Sequence, residues 1–141
     1  MSESKIREKI CRFAASIFDR GITHGSTGNI YVRLDDDEIL VTPSGSSFGR
    51  LDPNEIVKIT KTGQSIGSLL PTKELPLHKA FYETRGLKSG AVVHLHSTHS
   101  VALSMLPGTD EDNVLPSYTP YSIMLLGKVK LLPSGKEEKV E

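Results

Sequence analysis

The run AVVHLHSTHS at positions 91–100 places the tightest limit on how this chain can fold. It carries His94, His96 and His99, three of the chain's five histidines, directly after a short apolar stretch. GAVVHLH reads as a buried strand, and HSVALSML after it as a helix. In a strand, residues i and i+2 point to one face. His94 and His96 therefore project together, with Leu95 on the other side.

The rest of the chain alternates helical and extended patterns around that run. Residues 4–20 place Ile6, Ile10, Phe13, Ile17 and Phe18 at helical spacing, with Ser4 as a start signal and Gly21 as a stop. The loop HGSTGN leads into a strand with Ile30, Val32 and Leu34 on one face and Tyr31 and Arg33 on the other. Asp35-Asp36-Asp37 turns the chain, and EILVT returns as the second strand of a hairpin. A second loop of small hydroxyl residues and glycine, TPSGSSFGRL at 42–51, precedes a third strand, IVKIT at 56–60. TKELPLHKAFYETR, 72–85, reads as a helix with Leu77, Ala80 and Phe81 as its apolar stripe. Pro76 is tolerated there because the first helical turn has free N–H groups. LPSYTPYSIMLLGKVKLLP mixes a proline-rich loop with apolar stretches, the last of them a strand candidate, and 133–141 reads as a disordered polar tail. Interleaved strands and helices with one early hairpin predict an α/β domain, a mixed sheet with helices on both faces.

Composition narrows the function. At 141 residues the chain is most simply a single domain. Lys plus Arg equals Asp plus Glu, 17 against 17. That balance argues against nucleic acid as the partner, because phosphate-backbone binding usually leaves a basic excess, but a small anion needs only a local site. The lone Cys11 excludes an intramolecular disulfide and fits a reducing compartment, with a buried or half-buried helix thiol as its ordinary role. MSESKIREKI has no apolar core and so is no secretory signal. No apolar run approaches the ~18 residues of a membrane span. A soluble cytoplasmic protein is expected.

Two imidazoles on one strand face can bind one Zn²⁺, but a catalytic zinc typically takes three protein ligands and keeps a position for water or substrate. His99 is the nearest local third candidate, although a residue at a helix start more ordinarily faces solvent. Glu74, at the start of the preceding helix, can ligate a metal or act as acid or base beside it. His78, one turn further on, is read as structural. Gly28-Asn29, Ser44-Gly45 and Thr72-Lys73 all lie where loops meet regular elements, and such junctions present N–H groups and hydroxyls suited to an anion.

Four segments in this order, STGNIYVR, LVTPSGSSFGRLDPNEIVKI, PTKELPLHKAFYETR and AVVHLHSTHSVALS, resemble the class II aldolase/adducin family over about residues 5–132. Within it, PTKE, HLHST and TPYSIMLLGKVKLLP are most similar to 3-oxo-tetronate 4-phosphate decarboxylases. Fuculose-phosphate aldolases are relatives that usually carry Ser where this chain has Lys73. The resemblance implies the family's central sheet, one Zn²⁺ per subunit held by His94 and His96, and Glu74 as catalytic acid/base and as a metal ligand without substrate. It implies phosphate binding by Gly28, Asn29, Ser44, Gly45, Thr72 and Lys73. It also implies a homotetramer, with Tyr118 or Tyr121 contributing across an interface, and a small phosphorylated sugar acid or sugar as substrate.

The departures from the family pattern carry expectations too. Members are longer, and their third zinc histidine lies downstream in an Asn-His-Gly segment, whereas this chain has no histidine after His99. The chain is therefore expected to be an incomplete domain lacking the family's C-terminal elements, with weakened zinc binding and an uncovered sheet edge. The expected reaction is decarboxylation of a β-keto acid to dihydroxyacetone phosphate and CO₂. The alternatives are aldol cleavage to dihydroxyacetone phosphate and an aldehyde, or an inactive or adducin-like binding module.

Overall fold

The computed structural model describes residues 1–35, 37–85 and 90–105. The expected final strand, the 133–141 tail, Tyr118 and Tyr121 lie outside them. The chain divides into two units, Met1–His96 and Ser97–Glu141.

The first unit opens with helix α1, Glu3–Asp19. Ser2, two residues before the expected Ser4, takes the N-cap position and its side chain makes no cap bond. The C-terminus closes as expected, because Gly21 adopts φ 67°. Its N–H donates to Phe18 O at 2.9 Å, and the Ile22 N–H donates to Ile17 O at 3.1 Å. This is the paired arrangement of a Schellman motif.

Strands β1 (Asn29–Arg33), β2 (Ile39–Val41), β3 (Val57–Ile59), β4 (Ser65–Ile66) and β5 (Ala91–His94) form one sheet in the order β4-β3-β2-β1-β5. Every pairing among the described residues is antiparallel. Strand alternation sends Ile30 and Leu40 to one face, where they pack with Ile10 and Ala14 of α1, Phe48 and Ile56. Tyr31, Val41, Val57 and Ile59 occupy the other face with Tyr82 of helix α2, Leu75–Arg85. Helices therefore cover both faces, as read from the sequence, on a sheet that is antiparallel among the described residues. No helix among the described residues is long and apolar enough to cross a membrane.

Four details differ from expectation, each for a local reason. Phe13 is 65% exposed, and Ala14 takes its place in the α1 contact. The small side chain lets the helix approach the sheet, and Phe18 of the same helix lies where a Cβ on Gly49 would stand, at 2.8 Å. In α2 the buried face is rotated from the predicted stripe: His78 and Tyr82 are buried whereas Phe81 is 42% exposed. A histidine and a tyrosine replace the apolar pair because each finds polar partners beneath the helix. Strand β5 is half-exposed rather than buried, because it sits at the end of the described strand order with Val93 49% exposed. Finally, β4 and a three-residue 3-10 helix, Phe48–Arg50, are too short to leave a periodic signal.

The second unit, within its described residues, holds helix α3, Thr98–Ser104. Ser97 caps it by accepting from the Ser100 N–H. His99 lies on this helix and is exposed.

Candidate active site

The register of the sheet collects most of the candidate residues at one end of the first unit. Asn29, the first residue of β1, stands opposite His94, the last of β5. Tyr31 stands opposite Val41, the last residue of β2. The 23–28 loop, the 42–46 loop and the His94–His96 segment therefore leave the sheet from the same end. A bridge between Pro43 and Pro71 and a Ser44 N–H bond to Leu70 O at 2.9 Å add the approach to α2.

Each segment is held by its own polar side chains. In the first loop, Thr27 Oγ1 donates to His24 O at 2.7 Å and Thr23 Oγ1 to Thr27 O at 3.0 Å. Gly28 follows with φ 87°. A Cβ there would lie 3.1 Å from the His94 carbonyl oxygen, so the missing side chain lets β1 begin against β5. In the second loop, Ser46 Oγ donates to Pro43 O at 2.8 Å, while Ser44 and Gly45 are exposed. Gly45 turns the chain with φ 72°. Ahead of α2, Thr72 is buried and its Oγ1 accepts from the Glu74 N–H at 3.3 Å. The Glu74 carbonyl then accepts from the His78 N–H at 3.2 Å. Helix α2 thus starts at Leu75 rather than at Thr72, with Glu74 at its N-terminal boundary. Glu74 is half-buried and Lys73 exposed.

The strand ends at His94, short of the predicted His96, because its partner β1 begins at Asn29. The two histidines still meet, with ring centroids 4.9 Å apart and planes at 77°. His94 is half-buried and His96 exposed. Burial, and next the neighbouring His96, push the His94 pKa below the ordinary histidine value, while the Glu74 carboxylate pulls it up. His94 therefore favours the neutral, ligand-competent imidazole, and Glu74 is near enough to act on its charge.

Two further residues complete this end of the sheet. His78 is fully buried, stacked on Tyr31 at 4.6 Å with the planes 4° apart. Its Nε2 bonds to Asn29 Oδ1. Burial, with His94 adding to it, lowers the His78 pKa to about 4. Tyr82 reaches under β1, its hydroxyl donating to Tyr31 O and Gly90 O at 3.4 Å each. The Arg33 guanidinium lies 4.1 Å over its ring. Neither partnership was foreseen in the sequence. The spacing of His78 and Tyr82 on one helix face was the available signal.

The donor chemistry bears on a metal. His94 Nε2 is buried and has no hydrogen-bond partner among the described residues. A buried imidazole nitrogen left unpaired is costly unless something occupies it. The adjoining His96 ring makes a divalent cation a fitting occupant. Among the described residues, no group of three or more His, Cys, Asp or Glu side chains lies close enough to hold one ion. The two imidazoles are thus brought together, and Glu74 stands near them without closing a three-donor set.

Comparison with known proteins agrees with this architecture. The class II aldolase and adducin N-terminal domain family matches residues 8–141. The chain is 45% identical over 132 residues to 3-oxo-tetronate 4-phosphate decarboxylase of Cupriavidus necator, covering 94% of this chain and 60% of the relative. It is 44% identical over 131 residues to the protein of that name from Escherichia coli K12, covering 93% and 61%. The crystal structure of YgbL from Escherichia coli superposes with a TM-score of 0.84 at 41% identity, covering 96% of this chain and 65% of that one. The chain therefore spans about 60% of the length of the curated relatives it matches. The matched family, the identities and the shared fold lead to one conclusion: the chain belongs to the class II aldolase and adducin family.

Proposed function

We propose that this end of the sheet serves the decarboxylation of a 3-oxo-tetronate 4-phosphate, giving dihydroxyacetone phosphate and CO₂. The observation that carries the reading is the buried Nε2 of His94, unpartnered among the described residues, beside the His96 ring. It occurs in a chain 44–45% identical to proteins named for that reaction.

His94 and His96 would hold a zinc ion, which when bound supplies Lewis-acid stabilisation of the charge that develops on the 3-oxo oxygen. The chain's own groups do the rest. Lys73, exposed beside Thr72, brings a positive charge to the phosphate. The Ser44 N–H is committed to Leu70 O, which leaves its exposed hydroxyl for the anion. Thr72 Oγ1 accepts from Glu74 N and keeps its own proton to donate. Gly28, Asn29 and Gly45 complete the phosphate contacts, and holding the phosphate fixes the reacting carbons in register. The C1–C2 bond breaks and its electron pair passes through an enediolate to the C3 oxygen. Glu74 delivers a proton to C2, so substrate plus one proton becomes dihydroxyacetone phosphate plus CO₂.

A second reading, aldol cleavage, has its own support. L-fuculose phosphate aldolase of Haemophilus influenzae is 32% identical over 75% of this chain. Both reactions pass through the same enediolate, so product analysis separates them. With 3-oxo-tetronate 4-phosphate as substrate, CO₂ release is expected, falling about 10²- to 10⁴-fold in Glu74→Gln with the fold intact. Release of an aldehyde from a sugar phosphate, with no CO₂ from the acid, would favour the aldolase. Undiminished turnover in Glu74→Gln would remove Glu74 from the chemistry.

A further inference from the structure

The buried histidine of α2 takes no part in the proposed chemistry, yet it is tied to a residue that does. His78 has no exposed surface. Its ring plane is set by the stack on Tyr31, parallel within 4°. A fixed plane fixes the direction of Nε2, which meets Asn29 Oδ1. A carboxamide oxygen only accepts, so Nε2 carries the proton and donates. The other nitrogen, Nδ1, is then a bare lone pair, in agreement with its lack of a partner among the described residues. Protonating it would bury an N–H without an acceptor, so the ring stays neutral and the tautomer is locked.

The consequence falls on Asn29. Its carboxamide is planar, so pinning Oδ1 pins the NH₂ on the opposite edge. No residue bonds to that NH₂ among the described residues. The backbone of Asn29 is equally fixed, facing His94 in the β1–β5 register and following Gly28, whose φ is 87°. An amide held by its oxygen, with its two donors unspent at the mouth of the small-residue loops, is preorganised for an anion.

We infer that His78 is a positioning residue for anion binding: its Nε2–H holds the Asn29 carboxamide with the NH₂ presented to the substrate phosphate. The inference rests on the reading that Asn29 contacts phosphate. A histidine serving only the core would leave anion affinity alone.

The test is the dissociation constant for inorganic phosphate, measured by calorimetry on the full chain and its variants. His78→Phe keeps the ring stack and deletes the donor. His78→Gln deletes the ring and keeps an amide donor. Freeing one previously ordered side chain is expected to weaken phosphate binding about three- to tenfold in His78→Phe. His78→Gln should remain within about twofold of the parent chain, by the same ordering argument. Asn29→Ala should weaken binding at least as much as His78→Phe, and the double variant no more than Asn29→Ala alone. Parent-like affinity in His78→Phe beside a weakened Asn29→Ala overturns the positioning role and leaves the phosphate reading standing. Parent-like affinity in Asn29→Ala removes the phosphate reading and the inference with it. Additive losses in the double variant also overturn it. Should His78→Phe fail to fold, His78→Gln decides: retained affinity supports the inference, and a loss beyond threefold contradicts it.

Discussion

Alanine at Gly28 tests how closely the loop of the candidate site is built against β5. With φ 87°, the residue lies in the left-handed region, where any Cβ costs roughly 1–2 kcal/mol. The added Cβ would also meet the His94 carbonyl oxygen at 3.1 Å, Leu95 Cδ2 at 3.2 Å and Phe48 Cζ at 3.4 Å. Leu95 and Phe48 can yield by side-chain adjustment, but the carbonyl belongs to a paired strand and moves only with its backbone. Overpacking of this kind costs about 1–3 kcal/mol, so Gly28→Ala should lose roughly 2–5 kcal/mol in all. Gly45→Ala is the control, because Gly45 has φ 72° and no atom of the described residues within 4 Å of the added Cβ. It should lose only the conformational part, roughly 1–2 kcal/mol. Urea unfolding measures both. With a slope of about 2 kcal/mol per molar, the Gly28→Ala midpoint should lie ~0.5–1.5 M below that of Gly45→Ala. Coincident midpoints would mean that β1 and β5 are not in the close register described, and that His94 is not held by it.

Further outcomes follow from the buried polar groups. The His78 pKa falls from 6.5 to about 4 on folding, so between those values the unfolded chain binds the extra proton. Stability should be complete above pH ~6.5 and decline by at most about 3 kcal/mol as pH falls toward 4, and His78→Phe should flatten that part of the urea-midpoint profile. Tyr82→Phe removes two hydroxyl contacts that are long, at 3.4 Å each. It should cost less than ~1 kcal/mol, against ~3–5 kcal/mol for Tyr82→Ala, both read from chemical denaturation. Arg7 donates from Nη1 to Pro53 O at 3.2 Å and to Ile56 O, and pairs with Glu3 at 2.8 Å. Arg7→Ala should lower stability by about 2 kcal/mol with little salt dependence, because the carbonyl contacts outweigh the partly exposed ion pair.

Much of this could be read from the chain because periodicity carried it. The 30–34 alternation sorted Ile30 and Val32 from Tyr31, and the structure packs the two sets on opposite faces of the sheet. Gly21 announced the end of α1 through a left-handed conformation that other residues avoid. The loops of the candidate site were visible as clusters of small and hydroxyl residues. Their convergence was not visible, since it depends on strand register and on the Pro43–Pro71 bridge. Helix α2 misled because hydrophobicity pointed to Phe81, while burial followed His78 and Tyr82, whose polar atoms find partners across the sheet. The His94–His96 pair was legible from strand geometry even though the strand stops at His94, because the rings need only adjacency.

The central claim is that His94 and His96 present a metal site, and equilibrium zinc binding tests it most directly. The parent chain should bind one zinc per molecule, and His94→Ala and His96→Ala should each weaken that binding at least about tenfold. A chain that takes up no zinc, or whose two histidine variants bind it as the parent does, would contradict the account.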